Sequence, residues 1–162
     1  MTEELAPYGP DVLARQSWDQ YFLDLACKIA ERSTCLRRKV GAVAVRDKRI
    51  LATGYNGAPS GLEHCLERGC YRQLHNIPSG QQHELCRGAH AEQNILCQAA
   101  RFGIELEGCE IYIHGGSPCA MCAKMLINAK TQRIVYQGSY PDQMAMEMLQ
   151  EANIAVESAE WS

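Results

Sequence analysis

The chain is 162 residues long, 46% hydrophobic and 22% charged, ordinary globular composition at about the length of one domain. Sixteen Lys+Arg against 19 Asp+Glu leave a formal charge of −3, a field that repels a long polyanion and argues against a nucleic-acid partner. No stretch approaches the roughly 20 apolar residues that span a bilayer, and the start, Met1-Thr2-Glu3-Glu4-Leu5-Ala6-Pro7, lacks the basic and apolar regions of a signal peptide, so the expectation is a soluble, cytoplasmic protein with no membrane partner.

No repeat, low-complexity tract or composition shift divides the sequence, which reads as one domain over 1–162 with a core of about 17–157. Ser17 to Glu31 places Trp18, Tyr21, Phe22, Leu25, Ala26, Ile29 and Ala30 at helical spacing behind an N-capping Ser17. Val40 to Val45 and Arg49 to Thr53, joined by Arg46-Asp47-Lys48, read as a β-hairpin, and Gly54 to Gly61 as a loop. Leu62 to Gly88 is irregular and too long to be bare coil in a compact domain, so something must order it. Helical spacing returns from His90 to Phe102 and stops at Gly103. Strand Glu110–Ile113, helix Pro118–Ala129, strand Arg133–Tyr136, helix Pro141–Glu151 and strand Ile154–Val156 follow. Alternating strands and helices predict parallel pairing, and the whole is expected to be an α/β fold, a three-layer α/β/α sandwich on a mixed five-stranded sheet.

Nine cysteines, an odd number with no secretory signal, point to metal and away from a disulfide framework. Cys27, Cys97 and Cys109 sit in regular segments and read as small buried hydrophobes. Two strings carry the chemistry: His90-Ala91-Glu92 and Pro118-Cys119-Ala120-Met121-Cys122, each opening a predicted helix. Catalytic zinc takes three protein ligands and keeps one position for water. Cys119 and Cys122, at i and i+3 on one helical turn with Ser117 as cap and Pro118 at the first position, present two thiolates, and His90 adds an imidazole. Glu92, beside the ligand, reads as the proton shuttle. The bland alternatives are a helix-dipole acid at Glu92 and a redox pair at the two cysteines.

His-Ala-Glu followed by Pro-Cys-x-x-Cys resembles the zinc-dependent cytidine and deoxycytidylate deaminases. Val40-Gly41-Ala42, Gly54-Tyr55-Asn56-Gly57 with Pro59, His83 to Asn94 and Ala123 to Ala129 are similar to the deoxycytidylate branch. Arg32 to Cys35 and His64-Cys65 with Cys70 resemble late-competence-type bacterial members and their phage relatives. The likeness runs from about Trp18 to Val156. It implies hydrolysis of dCMP to dUMP and ammonia, a cytidine-deaminase-like fold, assembly into a homohexamer, and control by dCTP and dTTP through Gly54, Tyr55, Asn56 and Gly57. Ile113-His114-Gly115-Gly116-Ser117 departs from the family pattern, which commonly has a Thr there and one residue fewer, and His114 is a candidate contact to the base. Deamination of another nucleoside or an RNA base, and a non-catalytic zinc module, are the competing readings. Glu92 weighs against the silent one, since a structural zinc has no use for a positioned acid.

Cys35, Cys65, Cys70 and Cys86 surround the irregular segment, and a structural zinc on four thiolates would order it, with His83 as an alternate ligand; four reduced thiols are the competing reading. The resemblance places Cys35 and Cys65 at two ligand positions of a second, noncatalytic zinc found in some relatives. Arg37-Arg38-Lys39 is the densest basic run, with Arg37 and Arg38 the candidates for substrate phosphate. Asn56, Ala91 and Tyr140 complete the candidate substrate contacts.

Overall fold

In the computed structural model the described residues are 14–138 and 141–160. Helix α1 (Trp18–Ala30) starts where Ser17 accepts a hydrogen bond from the Gln20 N–H and buries Phe22, Leu23, Ala26 and Ala30. Strands β1 (Gly41–Arg46) and β2 (Arg49–Tyr55) form the expected hairpin, with Asp47 and Lys48 both at positive φ in its turn. Two single-turn helices, α2 (Cys65–Arg68) and α3 (Tyr71–Leu74), and a 3₁₀ turn at His83–Leu85 occupy the segment that the sequence left irregular. Helix α4 (Ala91–Phe102) ends at Gly103 in the left-handed region, as the glycine stop predicts. Strand β3 (Glu110–His114), helix α5 (Ala120–Asn128), strand β4 (Arg133–Gln137), helix α6 (Gln143–Glu151) and strand β5 (Ala155–Ser158) complete the order.

The sheet runs β2-β1-β3-β4-β5. β1 is antiparallel to β2 and β3, whereas β3, β4 and β5 are parallel, so the sheet is mixed and five-stranded as expected. Strand alternation divides the core in two. Val43, Val45, Tyr112 and Val135 face α1. Ala42, Ala44, Ile111, Ile113, Ile134 and Tyr136 pack with Ile95 of α4, Leu126 of α5 and Leu149 of α6. The result is three layers, one helix on one face and three on the other.

That alternation decides His114. It shares the parity of Tyr112, so it lies toward α1, where its charge is felt by Asp24, and its Nδ1 stands 3.1 Å from Gln137 Oε1. The expected contact with the base is corrected: the ring is on the sheet face away from α4 and α5. Cys97 is likewise corrected, being exposed, because it falls two residues, or about 200°, from Ile95 on α4. Cys109 is buried as expected and Cys27 is half-buried. Among the described residues, no helix is long and apolar enough to cross a membrane.

Candidate active site

The N-termini of α4 and α5 meet at one end of the sheet, and each carries its ligand at the capping position. His90 is the N-cap of α4, with extended backbone and its N–H donating to Gln93 Oε1 at 2.7 Å. Cys119 is the N-cap of α5, also extended. The expected cap at Ser117 with Pro118 in the first helical position is therefore off by two residues. The extended Cys119 and the third helical residue, Cys122, turn both sulfurs toward His90: Cys119 Sγ and Cys122 Sγ stand 3.5 and 3.4 Å from His90 Nδ1. Zn–S bonds of about 2.3 Å and Zn–N bonds of about 2.0–2.1 Å at tetrahedral angles separate sulfur from nitrogen by about 3.5 Å. The donor set fits a tetrahedral zinc by both its distances and its chemistry.

The three ligand groups share protons strongly with one another. The Cys122 thiol and His90 imidazole hold Cys119 down to about 3 against its burial, so one thiolate is present near neutral pH. The hydrogen bond with Cys119 and burial push the Cys122 thiol up, and the Cys119 sulfur raises His90. Glu92, at the second position of α4, is 3% exposed. Its carboxylate atom lies within 4.8 Å of ligand atoms on His90 and Cys122. Burial pushes Glu92 up to about 6 despite the opposing His90 charge, which suits a group that must both accept and return protons.

One cavity contains this centre. His83, His90, Glu92 and Cys119 line it, as do Arg37, Arg38, Asn56, Gly57 and Ala91. Cys35, Cys65, Cys70 and Cys86 lie on its wall too, and the charges of the other three thiols are felt at Cys65. Among the described residues, no three of these four sulfurs lie within 4.8 Å of one another. His83 is corrected: it stands with its ring edge-on to His90, 5.0 Å between centroids, and groups with His90 and Cys119. His83 opens the 3₁₀ turn at 83–85.

Asn56 is a hub for the basic loop. Its Oδ1 accepts from Ser33 Oγ at 2.6 Å and from the Val40 N–H at 2.8 Å, and its Nδ2 donates to the Arg38 carbonyl at 2.8 Å. These bonds hold residues 33–40 in place. Arg37 is half-buried with Nη1 buried and without a partner, whereas Arg38 and Lys39 are exposed. Ala91 is fully buried. Gly54 and Tyr55 close β2, and Gly57 bridges to Ala89, with Gly57 N donating to the Ala89 carbonyl at 3.1 Å and Ala89 N returning the bond at 2.9 Å. Asn94 Nδ2 also donates to the Tyr55 carbonyl at 2.7 Å, so the loop is tied to α4 on both sides of His90. Tyr140 lies outside the described residues. Sequence reasoning passed over Arg72, which is buried on the same cavity wall. A lone arginine in an irregular segment carries no periodic signal.

Comparison with known proteins agrees with this geometry. The family model for the cytidine and deoxycytidylate deaminase zinc-binding region matches residues 16–138. ComE operon protein 2 of Bacillus subtilis is 38% identical over 149 residues, covering 91% of this chain and 74% of that protein. A deoxycytidylate deaminase of Schizosaccharomyces pombe is 37% identical over 142 residues, 86% of this chain, which spans only 43% of that longer relative. The crystal structure of dCMP deaminase from cyanophage S-TIM5 in complex with dCMP and dUMP superposes with a TM-score of 0.71 at 29% identity, covering 94% of this chain and 99% of that one. Zinc-ligand geometry, a buried acid beside it and matches across most of the sequence agree: the chain belongs to the cytidine and deoxycytidylate deaminase family.

Proposed function

We propose that this chain hydrolyses dCMP to dUMP and ammonia. The observation that carries the reading is the pair of sulfurs, Cys119 and Cys122, each at a tetrahedral-edge separation from His90 Nδ1 beside the buried Glu92. The deaminases of S. pombe and cyanophage S-TIM5 that it resembles support the choice of nucleotide. His90, Cys119 and Cys122 would hold the zinc, which when bound would supply the Lewis acidity that makes water nucleophilic near neutral pH. Glu92 takes a proton from the attacking water and delivers it to the ring N3. It then takes the remaining proton from the new C4 hydroxyl and passes it to the C4 amine, so that the C4–N bond breaks, the carbonyl forms and ammonia departs. Burial serves this role by keeping the Glu92 carboxyl close to the working pH, so that both protonation states are accessible.

Arg37 and Arg38, on the cavity wall, take the 5′-phosphate in this reading, and Asn56 holds their loop. Replacing both arginines should lower kcat/KM for dCMP about 10- to 150-fold more than for deoxycytidine. Cys35, Cys65, Cys70 and Cys86, gathered around Cys65, would hold a second, structural zinc once their sulfurs close on it. We place one deaminase domain in a homohexamer in the cytoplasm, in keeping with nine free cysteines. dCTP and dTTP act through Gly54, Tyr55, Asn56 and Gly57, a loop whose bonds to Ala89 and Asn94 would transmit a ligand's presence to His90. Measuring ammonia release from a panel of cytosine bases, nucleosides and nucleotides tests the main reading. dCMP should give the highest kcat/KM, and a preference for deoxycytidine or for an RNA base would overturn it.

A further inference from the structure

Arg72, in α3, is only 8% exposed. Its one side-chain hydrogen bond among the described residues runs from Nη2 to the Pro78 carbonyl at 3.2 Å, and its Nε is buried without a partner. It makes no ion pair among the described residues. A guanidinium stays charged at any physiological pH, and burying it uncompensated is strongly unfavourable. Arg37 repeats the pattern with its buried, unpartnered Nη1. Both residues line the cavity that holds His90 and Glu92, and Glu92 is the one carboxylate among its lining residues. The cavity is therefore cationic inside a chain of net charge −3. That combination excludes long polyanions from the surface while leaving a confined place for a small anion.

We propose that Arg72 joins Arg37 in a phosphate-dianion subsite on the wall of the catalytic cavity, and that it adds to the selection of nucleotides over nucleosides. The inference rests on the deaminase reading for its meaning, yet the anion site stands on the two orphaned guanidinium nitrogens. Planar guanidinium forks match phosphate oxygens in pairs, and an oxygen reaching Nε would satisfy the buried donor that the protein leaves open. Two other roles compete: clamping residues 75–80 through Pro78, and balancing the thiolates of the cysteine cluster.

The test uses the zinc-loaded, full-length chain. Inorganic phosphate is titrated calorimetrically into wild type, Arg72→Gln and Arg72→Lys, with zinc content and circular dichroism measured on each. Phosphate should bind wild type at least 10-fold more tightly than Arg72→Gln, with Arg72→Lys between them. The same Gln variant should lower kcat/KM for dCMP about 10- to 150-fold more than for deoxycytidine, the scale of charge-assisted hydrogen bonds. Equal phosphate affinity in wild type and both variants, or no binding to wild type, overturns the subsite. Equal slowing on dCMP and deoxycytidine leaves only the clamp and overturns the selectivity. Zinc lost with phosphate binding intact assigns Arg72 to the cysteines instead. Arg72-dependent phosphate binding in a wild type that releases no ammonia from dCMP upholds the subsite and overturns the deaminase reading. Should Arg72→Gln fail to fold, the charge-preserving Lys variant decides on the same readouts.

Discussion

A Cβ placed on Gly54 would stand 2.2 Å from the carbonyl oxygen of Ala91, the residue between His90 and Glu92. The first turn of α4 thus lies directly on β2, and the metal ligand and the acid are both set by that contact. Backbone on both sides leaves nothing flexible to yield. Gly54→Ala should therefore lower stability by about 1–3 kcal/mol through overpacking and shift the α4 N-terminus. Thermal denaturation together with zinc content checks it. A variant with normal Tm and normal zinc would show that the contact relaxes freely.

Glu92→Gln keeps the shape of the side chain and removes its ability to carry a proton. Zinc content should persist, since His90, Cys119 and Cys122 are untouched, while turnover falls at least ~10². Elemental analysis paired with a deamination assay gives the answer. Near-normal turnover in the zinc-loaded variant removes Glu92 from the proton path.

Arg133 joins three layers of sequence through Asp19, Glu110 and Glu157, at 2.7, 2.8 and 2.8 Å. Its hydrogen bond to Asp19 holds that carboxyl below the ordinary 3.8, and it lowers Glu157 in the same way. A depressed folded value means that the unfolded chain takes up the proton first. The contribution is complete above the unfolded carboxylate range and fades as pH falls from about 4 through the lower folded values. Partial exposure of Asp19 keeps the effect small. Asp19→Asn should flatten the acid limb of a stability-against-pH curve measured by urea denaturation. An unchanged acid limb would show that the pair contributes nothing there.

Two zinc ions per chain are expected, and loss of the one held by Cys35, Cys65, Cys70 and Cys86 should loosen residues 62–88. The two single-turn helices there have little core of their own, with Leu66 and Leu74 exposed at 64% and 70%. Hydrogen exchange before and after chelation should show protection lost in that segment first. One zinc per chain, with Cys35 and Cys65 titrating freely with a thiol reagent, contradicts the second site.

Asn56→Ala should deprive the Val40 N–H and the Arg38 carbonyl of the Asn56 amide, while the Ser33 hydroxyl keeps its bond to the Asn56 backbone carbonyl. The loss is about 1–3 kcal/mol of stability. It should be accompanied by a higher KM for dCMP, because the loop bearing Arg37 is no longer held. A lower Tm with KM intact would confine Asn56 to the fold.

Much of this molecule was determined by local sequence. Apolar spacing in Trp18–Ala30, the small and β-branched residues of Gly41–Arg46 and the stop at Gly103 follow from nearest-neighbour sterics, and each element formed where that chemistry placed it. The i, i+3 cysteines and the adjacent His90 and Glu92 were legible for the same reason, because one helical turn determines how such side chains project. Tertiary structure alone decided the rest. Cys119 became an N-cap when α5 began at Ala120, His83 came edge-on to His90, and His114 fell on the α1 face by strand parity. Arg72 is the clearest case: burial of a guanidinium depends on which distant loops enclose it, and no spacing along the chain records that enclosure.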